Sequence, residues 1–162
     1  MRLHALAALI VAAVAVPVHA DTTSFAASAE VRAQIVAMER AMKPGQGFAW
    51  QPLVQADGSV AALEYWKAAG RPAVHPAEAE YAIVMEGAGA LLSGGTLVAP
   101  QTKSAGLIDG DRIDGGTTRS LAPGDVFLVP AGVPHWFRVD GRLVLLGIKI
   151  RTGNAASSAI AK

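Results

Sequence analysis

Cysteine is absent from the 162 residues, which excludes disulfides, thiolate metal ligands, thiol nucleophiles and a lipidated cysteine anchor. Histidine is scarce, with four in the whole chain, and charged residues make up only 17% of it. No block of like charge occurs, so the sequence offers no basic surface for nucleic acid or an anionic membrane. The one long apolar run, from Ala5 to Val16, falls short of the roughly 20 residues needed to span a bilayer.

That run sits where an export signal would. Arg2 supplies a charged start, the apolar stretch follows, and Val18-His19-Ala20 offers small residues before the polar Asp21-Thr22-Thr23-Ser24. We expect a signal peptide over 1–20 and a periplasmic or secreted protein beginning at Asp21, with no membrane attachment after cleavage. Losing Arg2 leaves 13 basic residues against 13 acidic ones. The leader also takes His4 and His19, so His75 and His135 are the only histidines of the mature chain. A domain of this length buries enough apolar surface to stand without disulfides.

Two textures follow. Over 21–44, Val31, Ile35, Met38 and Met42 fall on one helical stripe, which predicts a helix from Ser28 to Met42 ended by Lys43-Pro44-Gly45. It would pack on the outside of the main domain or serve a dimer contact. From residue 45 to 151 the chain turns to short segments rich in Val, Leu, Tyr and Trp, punctuated by Gly and Pro. Strands are expected at Phe48 to Leu53, Val60 to Lys67, Ala73 to His75, Tyr81 to Met85, Gly89 to Leu92, Thr96 to Ala99, Thr117 to Leu121, Val126 to Val129, His135 to Val139 and Arg142 to Ile150. So many short strands argue for an all-β sandwich or barrel. The polar stretch Pro100 to Gly116 reads as a surface loop, an extra hairpin or a lid, and residues 152–162 as a flexible tail.

Gly124-Asp-Val-Phe-Leu-Val-Pro-Ala-Gly-Val-Pro-His135 is the most informative stretch. Pro123-Gly124 suits a type II turn, Val126 to Val129 is an apolar strand, and the Pro130 to Pro134 cluster ends it. His135 therefore opens the next strand from a rigid corner. Upstream, His75 and Glu80 bracket a Pro-containing turn, so that their side chains can converge. Tyr81 and Glu78 flank Glu80 and are candidates for an acid, a base or a substitute ligand. Alternation from His135 puts Phe137 on its face of the strand and Trp136 and Arg138 on the other. The cluster Glu64-Tyr65-Trp66-Lys67 is rich in functional groups, but its inward parity is open.

These two segments resemble the paired motifs of the cupin superfamily. His75 matches the second histidine of the first motif, Glu80 its glutamate and Gly87 its closing glycine. Gly124, Pro130, Gly132 and His135 match the second motif with unbroken spacing. The chain departs from the pattern at Ala73, where the first histidine normally stands, at Val139, where the second motif usually ends in Asn, and in lacking the opening glycine of the first motif. The resemblance implies an all-β fold, a double-stranded β-helix or jelly-roll barrel, preceded here by one α-helix. It also implies a metal site on His75, Glu80 and His135. Two imidazoles and a carboxylate with open positions suit a divalent transition metal: Fe, Mn, Zn or Ni.

The expected function is an exported single-domain protein that binds one such metal and acts on a small molecule in the barrel, as an oxygenase, isomerase or lyase. Glu80 and Tyr81 are its candidate catalytic residues. The alternatives are a metal-free module holding a sugar-like ligand, and a structural role through oligomerisation, with a homodimer the expected partner state.

Overall fold

The computed structural model describes residues 22–56 and 58–152. The expected signal peptide over 1–20, and all of the expected tail except Thr152, lie outside the described residues.

Helix α1 (Ser28–Ala41) forms where the apolar stripe predicts. Its first turn is held by the Glu30 carboxylate, which accepts the Ala27 N–H at 3.0 Å. Eleven strands follow: β1 (Phe48–Ala56), β2 (Ser59–Trp66), β3 (Ala73–Val74), β4 (Glu78–Ser93), β5 (Thr96–Val98), β6 (Gln101–Ser104), β7 (Leu107–Asp109), β8 (Arg112–Asp114), β9 (Thr117–Leu121), β10 (Val126–Val129) and β11 (His135–Arg151). All pair antiparallel. One path runs β1-β2-β11-β3-β7-β6, and β4 joins it through β11 while also pairing β9 and β10. β5 and β8 form a separate ribbon. Among the described residues no helix is long and apolar enough to cross a membrane.

The structure corrects the expected strands in one respect. The pairs expected at Tyr81 to Met85 with Gly89 to Leu92, and at His135 to Val139 with Arg142 to Ile150, are each one long bent strand. β4 and β11 run side by side from Val139↔Gly89 to Leu143↔Gly87, with more residues on β11 than on β4 at that bend. Gly87 and Gly141 take φ of 81° and 76° there, a conformation nearly closed to other residues. The extra residues bend the ribbon at that point. Of the readings open for Pro100 to Gly116, the structure shows the extra hairpin, β6 paired with β7, followed by β8; the stretch is polar because β6 is exposed along its whole length.

Gly87 gives a direct test of the bend. A Cβ there would collide with the Arg142 carbonyl, in addition to the backbone strain. Gly87→Ala is expected to cost roughly 3 kcal/mol or more of unfolding free energy, read as a lower urea midpoint.

Two apolar clusters lie on opposite sides of the sheet. Ile35 and Met38 of α1 pack on Leu63, Tyr65 and Val144, so the helix covers the outer face. Inside the barrel, Val84, Leu91, Leu121, Phe137, Leu143 and Leu145 form the second cluster, with Trp66, Phe127 and Val139 against it. Both faces of β2 are thereby buried: Leu63 and Tyr65 are 0% exposed on one, and Glu64 is 3% exposed on the other.

Candidate metal centre

The second turn-strand-turn segment folds as its composition dictates. Gly124 has φ 94° and the Asp125 N–H donates to the Ala122 carbonyl at 3.0 Å, closing the expected turn. Gly132 has φ 77° and the Val133 N–H reaches the Pro130 carbonyl at 3.2 Å. A further bond, from the Gly132 N–H to the His75 carbonyl at 2.9 Å, ties the two motif segments together. His135 then opens β11, with 5% of its surface exposed.

One ligand atom from each of His75, Glu80 and His135 lies within 4.8 Å of the other two. The imidazoles are held in one tautomer. His75 Nδ1 lies 2.9 Å from the Gly106 carbonyl and His135 Nδ1 lies 3.1 Å from the Val133 carbonyl. A carbonyl only accepts, so each Nδ1 carries the proton and each Nε2 keeps its lone pair free. Burial keeps the rings neutral, pushing His135 down to about 4 and His75 in the same direction. Glu80 Oε1 is buried without a hydrogen-bond partner. Two neutral imidazoles and an orphaned carboxylate oxygen are a donor set that fits a divalent cation.

Two further charged groups share this space, and neither was singled out from the sequence as part of the site. Glu64 lines the cavity with its carboxylate 3.2 Å from the Trp66 indole N–H. Lys149 Nζ lies 3.9 Å from Glu64 and 3.8 Å from Glu80. Register explains how two carboxylates fit together. Ala62, Gly147 and Ala82 are neighbours across β2, β11 and β4, all small and on one row. A Cβ on Gly147 would lie 2.8 Å from Glu80 Oε1 and 3.4 Å from Glu64 Oε1. Both acids lean over the room that this glycine leaves. Burial first, then repulsion from Glu64, pushes Glu80 up to about 8, against the pull of Lys149. Burial raises Glu64 as well.

Tyr81 needs correcting as a candidate catalytic residue. Strand alternation turns it away from Glu80, and it is 44% exposed, facing the outer side between Leu128 and Ile148. Glu78 shares the parity of Glu80 but lies against Arg151 at 3.8 Å. Phe137 lines the cavity as expected and Arg138 stays outside it. Trp136, expected on the opposite face, also borders the cavity, its indole N–H donating to the Gly70 carbonyl at 2.7 Å. Ala73 lines the cavity beside His135, its register neighbour.

The cavity measures about 520 Å³. His75, Glu80, His135, Glu64 and Lys149 line it together with the aromatic side chains of Phe48, Trp50, Trp66, Trp136 and Phe137.

Comparison with known proteins agrees with this architecture. A hydroquinone 1,2-dioxygenase in complex with Cd2+ and 4-hydroxybenzonitrile is 22% identical over 82% of this chain and 83% of its own, with a TM-score of 0.54. A DMSP lyase from Ruegeria pomeroyi is 20% identical over 85% of this chain and 70% of its own, with a TM-score of 0.51. A hydroquinone 1,2-dioxygenase from Sphingomonas sp. TTNP3 with 4-hydroxybenzoate bound is 14% identical over 67% and 69%, with a TM-score of 0.52. Likeness at these identities is a likeness of fold. No curated protein matches the chain. The profile of the cupin family covers residues 50–159, and with the jelly-roll barrel and both motif segments in place, the chain belongs to the cupin family.

Proposed function

We propose that the protein is an exported cupin that holds one divalent transition metal on His75, Glu80 and His135 and acts on a small molecule taken into the adjoining cavity. The observation that carries this reading is the convergence of three ligand atoms within 4.8 Å, with both imidazoles fixed by backbone carbonyls so that each Nε2 is free. A metal on these residues would supply a Lewis acid with open positions for an oxygen of the bound molecule. The chain's own groups do the rest. Glu64, held by Trp66 and raised by burial, is placed to hold or return a proton at its carboxyl group. Phe137 and Trp66 exclude water along one wall.

Metal analysis of the purified protein tests the proposal. About one equivalent of Mn, Fe, Ni or Zn is expected after reconstitution, and less than about a tenth of an equivalent would overturn it.

One observation favours a second reading. Lys149 already brings a positive charge to within 4 Å of Glu64 and Glu80, so the site has a partial counter-charge of its own. In that case the protein is a metal-free binding module for a polar, sugar-like molecule. Thermal shift separates the two. Stabilisation by transition metals supports the first reading, and a response to organic ligands alone supports the second.

A further inference from the structure

Among the described residues, four strands of the main sheet pair on one side only: β1, β6, β9 and β10. An open strand edge is a template for another chain, and proteins guard it with charge, proline or a bulge. Three of these edges are guarded. β1 carries Pro52 at a register shift, β6 carries Lys103 and β9 carries Arg119. β10, Val126-Phe-Leu-Val129, has none of these devices.

That bare edge is also placed to bond. The Asp125 carbonyl accepts the Val84 N–H at 2.9 Å, so the main-chain groups of Asp125 face β4. Alternation turns those of Phe127 and Val129 the same way, and those of Val126 and Leu128 to the open side. The Val126 and Leu128 side chains point out of the barrel, with 67% and 46% of their surface exposed. Phe127 points inward, against the inner apolar cluster.

The face beside this edge carries no charge. One row across β10, β4 and β11 runs Leu128, Tyr81, Ile148, and the next runs Val126, Ile83, Leu146. α1 covers the sheet further on, at Leu63 and Tyr65, while Val126, Leu128 and Tyr81 stay open. A monomer rarely leaves such a strip bare. Near a twofold axis a charged residue would meet its own copy, so an uncharged strip is the kind that suits a second copy of the same chain.

We propose that β10 is the seam of a homodimer, in which two copies pair their β10 strands antiparallel about a twofold axis at Phe127. Val126 then stands opposite Leu128 of the second copy, and each donates its N–H to the other's carbonyl. The same register sets the exposed side chains of both copies on one face and joins the two uncharged strips. A slip of one residue would set Val126 beside Val129, which points inward, and break both matches. Pairing about an axis closes the edge, so the contact stops at two chains. Nothing in the inference depends on the metal.

Sedimentation velocity of the purified protein from about 1 to 100 µM tests it. A dimer is expected. Leu128→Lys puts a charge in the seam at an exposed position and should weaken the dimer about tenfold or more, with an unchanged circular dichroism spectrum. Val36→Lys removes an exposed apolar side chain of α1 instead, and should leave the dimer within about twofold. Amide hydrogen exchange reads the register: the Val126 and Leu128 N–H groups should be protected in the dimer and exchange about tenfold or more faster on dilution to monomer.

A protein still monomeric at about 100 µM would overturn the proposal. So would a dimer that Leu128→Lys weakens no more than Val36→Lys does. A dimer whose Val126 and Leu128 amides exchange freely would overturn it too, with no variant needed, and would move the contact to another face.

Discussion

His135→Ala is expected to weaken binding of Mn, Fe, Ni or Zn by two to three orders of magnitude, beyond the roughly 10–100-fold typical of losing an outer-shell partner. The expectation follows from the proposed ligand set, in which three protein atoms share the ion and none is spare. His75, Glu80 and His135 are the one cluster of this kind among the described residues, and Ala73 has no atom to offer in compensation. The fold should survive, because the barrel is held by its apolar interior, where Leu143 and Leu145 are fully buried. Glu80→Ala should behave alike, with one difference: it leaves Lys149 to pair with Glu64 alone. Tyr81→Ala is the matched control, since that side chain points outward and its loss should leave affinity within about twofold. Isothermal titration of each variant, with circular dichroism to confirm folding, reads the outcome. A His135→Ala variant that still binds within threefold of the unaltered protein would remove His135 from the ligand set.

The second large effect is on stability as a function of pH, and a bound metal is expected to remove it. In the metal-free protein, Glu80 is pushed up from the ordinary 4.5 to about 8. Folding therefore retains a proton that the unfolded chain releases above 4.5. This contribution is complete below pH 4.5 and is lost as pH rises through 8. His135 runs the other way, pushed down from 6.5 to about 4. Its contribution is complete above pH 6.5 and is lost as pH falls through 4.

Between pH 4.5 and 6.5 the two slopes oppose each other, so stability should be nearly flat. From pH 6.5 to 8 only the carboxyl slope remains. It approaches one proton, about 1.4 kcal/mol per pH unit, for a total near 2 kcal/mol. Glu64, raised by burial too, adds to the same side. A divalent cation bound to Glu80 would hold its carboxylate ionised at neutral pH and abolish the decline. Urea unfolding across pH 5 to 9, with and without saturating manganese, measures this. A metal-free protein whose stability does not fall above pH 6.5 would show that Glu80 is already ionised there.

How much of this was legible in the sequence differs residue by residue. His75, Glu80 and His135 stood out as candidates because their segments resemble the two cupin motifs; the turns beside them were readable because turn chemistry is local, and Gly124 and Gly132 take positive φ. The helix was readable because only one of its faces is buried. Glu64 was not, although it sits in a segment that stood out. β2 is covered by α1 on one side and by the barrel interior on the other, so both parities are buried and alternation carries no signal. Lys149 lies in an apolar strand far from either motif, and only the pairing Lys149↔Glu80 brings it to the site. The two long strands were each read as two because a glycine-bearing bend resembles a turn.

Gly147 has one more implication. A Cβ at that position would come within 2.8 Å of Glu80 Oε1 and reach contact with Glu64 at 3.4 Å, so a side chain there would press the two acids apart. The glycine is therefore a signature of the two-acid site, separate from both sequence motifs. Among proteins of this fold, a glycine here should be inherited together with an acid at the place of Glu64. Lineages with a bulkier residue should keep only one of the two acids. A comparison of sequences could thus sort such proteins into one-acid and two-acid barrels by reading a single column.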